Sequence, residues 1–271
     1  MIIFHIIDKT ELENIEGSRY YKPASLENEG FIHCSRINQL VRVAQSHYKQ
    51  RNGIFIMAIE STEAGSPVVF EDLYNLNEKY PHIYGPVEMT AVKNIYPMEE
   101  TADGFLLPER AVIDCSKKAF TTSDGIQSII TRAVPGDIFS IRKFISDSVV
   151  DNPHEKDLHF SEEDILNINN SAESILLLSR KDGRLDGLLY VKRKNKKDVY
   201  IRALYRTDFS GESMIAYLKD FETQNGCYDD KDLTFYTSNS FIKSLCVKHG
   251  LKTAKPDTPF SADIPHKEDE K

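Results

Sequence analysis

The sequence has no tryptophan, and its 14 phenylalanines and 13 tyrosines form no clustered array. Stacking platforms for single-stranded nucleic acid are therefore not expected. Its four cysteines, Cys34, Cys115, Cys227 and Cys246, are scattered, with no Cys-x-x-Cys pair. That argues against a disulfide framework and a structural zinc site, and points to a reducing, cytoplasmic setting. Positive charge is in deficit, 34 Lys and Arg against 42 Asp and Glu, net −8. A general attraction to nucleic acid or an anionic membrane is not expected. No apolar run approaches the ~20 residues that cross a bilayer. The opening Met1-Ile2-Ile3-Phe4-His5 lacks a basic region and a small-residue cleavage site, so a first strand is expected there rather than a signal peptide. There is no GxxxxGK[ST], GxSxG or GxGxxG, which leaves kinase, hydrolase and Rossmann readings unsupported. His154 and His159 suggest a zinc helix but are five residues apart, which turns the second roughly 140° from the first. No metal is expected.

What is present is enough to bury a real core. The chain has 271 residues, 40% hydrophobic and 28% charged, which suits two domains of ordinary size. The acidic, turn-rich stretch from Met98 and the polar stretch to Gly125 mark a seam. We expect a domain over 1–100, a linker over 101–127, a second domain over 128–252 and a polar tail over 253–271.

In the first domain, strands are expected at Met1–Ile7, Phe31–Cys34, Ile54–Ile59, Val68–Glu71 and Ala91–Tyr96. Helices are expected at Lys9–Glu16 and Asn38–Lys49. Strands outnumber helices, so the class is α+β with a mixed or antiparallel sheet. Within this frame stand two short motifs, Gly30-Phe31-Ile32-His33-Cys34-Ser35 and Pro81-His82-Ile83-Tyr84-Gly85-Pro86. Each puts one histidine, the side chain most easily charged or neutralised near pH 7, into a strand-like apolar setting. Taken singly, either histidine could be structural; taken together they suggest a pocket.

These two motifs resemble a bacterial domain family of unknown function that is grouped with the ADP-ribosyltransferase fold. The resemblance covers roughly residues 2–97. It implies a cleft for NAD or another ADP-ribose donor, and a transition state with positive charge at the ribose carbon. On that reading His33 and Ser35 touch ribose, Tyr84 is a stacking wall, Glu71 or Glu78 is the carboxylate, and His82 binds phosphate or orients the acceptor.

The second half is read as strand Ser128–Ala133, helix Ile138–Val149, a short helix from Ser161, and three strands, Ser174–Ser179, Leu185–Lys192 and Asp198–Tyr205. Asp182-Gly183 is a strong hairpin turn between the first two of these strands. Helix Glu212–Thr223, strand Leu233–Thr237 and helix Ser240–His249 follow. The basic run Lys192–Lys197 is read as a solvated hairpin tip. This order resembles the GNAT acetyltransferase superfamily. That resemblance implies an acetyl-CoA pyrophosphate loop at Arg206-Thr207-Asp208-Phe209-Ser210-Gly211, with Arg206 and Gly211 matching and Phe209 departing from the pattern. Cys246 stands where the superfamily often has a proton-donating tyrosine, and is either a weak acid or an apolar filler.

Three functions stay open on the sequence. One is a transferase on a nucleotide-type substrate in the first domain, with His33, His82, Glu71 and Glu78 catalytic and Ser35 and Tyr84 binding. Another is an N-acetyltransferase using acetyl-CoA in the second domain through Arg206 and Gly211. The third is a non-catalytic nucleotide-sensing module. All three expect a small-molecule or nucleotide ligand.

Overall fold

The computed structural model describes residues 1–15, 17–49, 53–102, 104–123, 125–148, 155, 158–171, 173–194, 198–219 and 234–254. The chain divides into two compact units, Met1–Cys115 and Ser116–Lys271. Among the described residues no helix is long and apolar enough to cross a membrane.

The N-terminal unit runs β1 (Ile2–Asp8), α1 (Lys9–Ile15), β2 (Tyr20–Tyr21), α2 (Ala24–Asn28), β3 (Ile32–His33), α3 (Leu40–His47), β4 (Ile54–Glu60), β5 (Val68–Glu71), β6 (Tyr80–Ile83), β7 (Val87–Glu88), β8 (Val92–Thr101), β9 (Gly104–Leu106) and α4 (Glu109–Ser116). One sheet has the order β1-β4-β8-β9 and a smaller one β3-β6-β5. The apolar run Ile54–Ile59 makes β4 the inner strand between β1 and β8, because its side chains are buried on both faces. Described pairings in this unit are antiparallel. Of the mixed or antiparallel sheet expected here, the described pairings are the antiparallel alternative; parallel pairing occurs in the second unit. Ile3, Ile7, Met57 and Ile59 pack in one core with Ile32 of β3 and Ile83 of β6. Their strand neighbours His33 and His82 consequently point to the opposite face.

The C-terminal unit runs β10 (Lys118–Thr121), β11 (Gln127–Arg132), α5 (Ile138–Ser148), α6 (Glu162–Asn169), β12 (Ser174–Lys181), β13 (Arg184–Arg193), β14 (Asp198–Tyr205), α7 (Asp208–Tyr217), β15 (Thr234–Tyr236), α8 (Ser240–Lys248) and β16 (Lys252–Ala254). These strands form one seven-stranded sheet in sequence order. It is antiparallel up to β14 and parallel from β14 through β16. Leu177, Leu189 and Ile201 face α7 and α8 through Met214 and Ile242. Leu176, Leu188 and Leu204 face α5 and α6 through Ile141, Phe144 and Ile165. Burial on both faces explains why these strands read as continuous apolar runs. The β12–β13 turn has Asp182 at φ 49° and Gly183 at φ 76°, the paired positive angles a two-residue hairpin needs.

Three boundaries differ from the sequence reading. The stretch 101–127 is not a bare linker: it carries β9, α4 and β10. Helix α7 begins at Asp208, four residues before the expected Glu212, because the Thr207 side chain caps it by accepting from Ser210 N. The expected tail starts inside β16; its remainder, like His154 and residues 195–197 of the basic run, lies outside the described residues.

Candidate functional site

The small sheet builds the site. Strand β6 lies between β3 and β5, and His82 is the register partner of His33 on one side and Val69 on the other. Directly opposed residues share a face, so the two imidazoles come within 5.6 Å, centroid to centroid, edge to face. Phe31, two residues before His33, follows onto the same face. Its ring is 4.8 Å from His33, 4.7 Å from His82 and 5.5 Å from Tyr84.

Each histidine has its own carboxylate. His33 Nε2 lies 3.0 Å from Glu29 Oε2, four residues upstream at the end of α2. His82 Nδ1 lies 3.3 Å from Glu71 Oε1, and the same oxygen accepts the Tyr84 hydroxyl at 2.6 Å. Glu71 is acceptor-only when ionised, so His82 Nδ1 carries the proton in this contact. His82 is 2% exposed. Burial pulls its pKa below the ordinary histidine value, the neighbouring His33 adds to that, and Glu71 opposes it. Glu78 belongs to a separate group. It pairs with Arg42, accepts from Tyr80 Oη at 3.3 Å and takes Gln39 Nε2 at 2.8 Å. Arg42 also donates to Tyr80 Oη at 2.8 Å.

A cavity of about 900 Å³ opens on this face, with His5, His33, Ser35, Arg42, Glu78 and His82 among its walls. That volume lies within the range of small-molecule sites. Tyr74 and Leu76 stand at its rim, 55% and 59% exposed. The Tyr74 ring lies nearly parallel to His33, at 6.4 Å and 25°. The structure thus brings His33, His82, Ser35 and Glu78 to one cavity. Glu71 and Tyr84 bond to or beside His82 and are not among the wall residues, and the wall aromatic beside His33 is Tyr74, where the stacking role was expected of Tyr84.

His5 is a wall residue that lies outside both motifs. It lies in β1, which is tied to the first motif by reciprocal backbone bonds between Phe4 and Ser35 at 2.9 and 2.7 Å. His5 Nδ1 donates to the His33 carbonyl at 2.6 Å, and Nε2 accepts from Tyr21 Oη at 2.8 Å. Burial lowers its pKa to about 4, so the ring is neutral at pH 7. The available signal was a lone histidine within the otherwise apolar Ile2–Ile7.

Arg206 and Gly211 lie in the other unit. The Arg206 guanidinium stands over the Phe144 ring at 5.2 Å, with Asp147 Oδ2 3.6 Å away. Gly211 is inside α7, where a Cβ would meet Phe241 Cε1 at 3.2 Å; its small size lets α8 approach. At the start of α7 the Asp186 carboxylate accepts Thr207 Oγ1 at 2.8 Å and also the Ser210 hydroxyl. Cys246 is fully buried in the α7–α8 core, and burial pushes its thiol up to about 12, which is the apolar-filler alternative. Among the described residues no group of three or more His, Cys, Asp or Glu is arranged to hold a metal ion.

Residues 6–95 match the profile of a family described as "Protein of unknown function (DUF952)". No curated protein matches the chain. Among solved structures the chain is similar to protein CC0527 of Caulobacter crescentus, with 21% identity over 41% of this chain and 97% of that one, TM-score 0.37. It is similar to the GNAT domain of S. lividans PAT, with 9% identity over 49% and 86%, TM-score 0.36. It is also similar to the aminoglycoside N-acetyltransferase AAC(6')-Iy, solved with CoA, with 14% identity over 51% and 95%, TM-score 0.36.

Proposed function

We propose that the chain is an N-acyltransferase whose C-terminal unit takes an acyl-CoA, acetyl-CoA being the simplest. One observation carries this reading. Strand β14 pairs with β15 in parallel over three residues, Asp198–Tyr200 with Thr234–Tyr236. Beyond them Ile201–Tyr205 run on with no ladder partner on that side among the described residues. A strand edge opening inside a sheet presents unpaired N–H and C=O groups, which match the two amides of a pantetheine arm by strand addition. Bound there, acyl-CoA would supply an activated thioester; Ile201–Tyr205 would hold the arm.

The fit is to the arm rather than to the diphosphate. The positive end of α7 is where an anion would be held, and the protein's own Asp186 already occupies it. Arg206 is engaged by Asp147 and Phe144. Most of the affinity is therefore expected from the arm. Thermal-shift titration of the full chain with CoA, acetyl-CoA and pantetheine tests this, since a ligand of the native state raises apparent stability. Expected are shifts with pantetheine and CoA dissociation constants within about tenfold of each other, and tighter CoA binding by Asp186→Asn. No shift with any of the three at millimolar concentration refutes the reading.

A second reading is a transferase acting on a nucleotide-type substrate, with NAD or an ADP-ribose donor in the N-terminal cleft. It is favoured by the near-parallel Tyr74 and His33 rings at a cavity of about 900 Å³, a geometry suited to a flat base. Of the two carboxylates suggested for stabilising a ribosyl cation, Glu78 is neutralised by Arg42 and Glu71 is turned to His82 and Tyr84. The same titration with NAD and ADP-ribose, with nicotinamide release as readout, tests it. Absence of both rejects it.

A further inference from the structure

We propose that Glu71 and His82 form a general-base dyad in the N-terminal cleft, acting on esters of small aromatic or heteroaromatic groups. The proposal rests on the cleft being a site, not on NAD as its ligand, and it is independent of the acyl-CoA reading.

The geometry fixes the proton. Glu71 Oε1 accepts both the Tyr84 hydroxyl and His82 Nδ1–H, so the neutral ring must carry its lone pair on Nε2. Nε2 makes no hydrogen bond among the described residues, while the ring lines the cavity. Phe31 covers the imidazole pair and is not among the cavity walls. His82 is thus oriented by Glu71 and backed by an aromatic ring, with one nitrogen left to meet a substrate. Glu71 touches no cavity space; it is a positioning residue that also stabilises the imidazolium once formed. The charged and titratable groups facing His82 are Glu71, His33 with its Glu29, and Tyr84; Tyr80, Glu78 and Arg42 lie farther along the wall. The Tyr74 ring at the rim, nearly parallel to His33, selects a flat group.

The step balances without a cofactor. A cavity water gives its proton to Nε2, breaking O–H and forming N–H, while its oxygen adds to the ester carbonyl. The adduct then breaks the ester C–O bond and releases the aromatic alkoxide. The imidazolium returns its proton, leaving the acid and the aromatic alcohol.

The test uses the full chain and 4-nitrophenyl acetate, followed by release of 4-nitrophenolate. We expect hydrolysis above buffer, a loss of tenfold or more in His82→Ala, and a kcat reduced about 10- to 100-fold with KM unchanged in Glu71→Gln. Glu71→Asp recovers part of the loss, and Glu71→Gln also moves the acid limb of the pH profile to lower pH, because it removes the group that favours the protonated ring. Nitrogen-detected NMR of the imidazole rings gives a check that needs no variant: His82 should be the Nδ1–H tautomer at neutral pH. Hydrolysis at buffer level by the unaltered chain, a wild-type rate in folded His82→Ala, or an Nε2–H tautomer each overturns the proposal. NAD titration succeeds or fails separately from all three.

Discussion

His5 offers the sharpest test of how the N-terminal unit is held together. Its pKa is lowered to about 4 from 6.5 by burial, while the unfolded chain keeps the ordinary value. A depressed folded-state pKa means the unfolded state binds the extra proton between those values. The stability in question is therefore complete above pH 6.5, is lost progressively as pH falls, and is gone below about 4. At about 1.4 kcal/mol per unit, the shift is worth about 3 kcal/mol. His5→Phe removes the titration but also takes the ring N–H from the His33 carbonyl and leaves the Tyr21 hydroxyl to Glu11, at a cost of about 1–3 kcal/mol. Wild type should then be the more stable protein at pH 7.5, and on going to pH 4 the difference should move by about 3 kcal/mol in the variant's favour, closing or reversing the gap. Native-state hydrogen exchange of the β1–β4 amides reads this unit alone, which matters because a two-unit chain need not unfold in one step. The comparison cancels carboxylates common to both proteins. A gap that stays constant from pH 7.5 to 4 would show that His5 is not a buried neutral base.

Other perturbations probe other parts of the chain. Arg202 and Glu155 pair at 2.6 Å with both side chains 6% exposed, so Arg202→Met alone should cost about 3–5 kcal/mol in urea unfolding of the C-terminal unit, and adding Glu155→Leu should recover most of it. Gly85 has φ +148°, and a Cβ there would stand 2.5 Å from Ser66 Oγ, whose hydroxyl donates to the Pro86 carbonyl at 2.7 Å. Gly85→Ala should cost about 1–3 kcal/mol by thermal unfolding, and more than Ser66→Ala, which loses the bond but not the backbone fit. Burial raises the thiols of Cys34 and Cys246, so neither should react with a disulfide reagent at pH 8 until denaturant is added. Rapid labelling of either in the native chain would contradict its burial.

Much of the fold was legible because local chemistry and tertiary packing agree. Apolar β4 and the Asp182-Gly183 hairpin could be read from residue order alone. The misses have physical causes. The early start of α7 depends on one capping side chain, Thr207. Strand β6 is not legible as an element because Pro81 interrupts a run that also reads as turn chemistry. The choice between Glu71 and Glu78 was open because both precede the second motif within eleven residues. Register separates their surroundings: β5 pairs Glu71 with Tyr80 and brings its carboxylate to His82 and Tyr84, while Glu78 meets Arg42 from α3. No spacing rule links Glu78 to Arg42, or Glu11 to Tyr21 and His5, because those partners meet only in the folded unit.

The meeting of the two histidines is a consequence of burying two isoleucines. Ile32 opposes Ile83, and both are fully buried in the core that also holds Ile3 and Met57. With a side-chain period of two, any pairing that sends these isoleucines inward sends His33 and His82 outward, side by side. A one-residue slip would set Ile32 against His82 and force an imidazole into hydrocarbon, with the desolvation penalty that already holds buried His5 neutral. Truncating Ile83 to alanine should therefore do more than cost about 2–5 kcal/mol. By weakening the term that selects the register, it should loosen the approach of the rings, so the Nδ1–H signature of His82 should weaken in the same variant. A destabilised Ile83→Ala that keeps that signature intact would mean that Glu71 and Tyr84, rather than the core, hold the histidine in place.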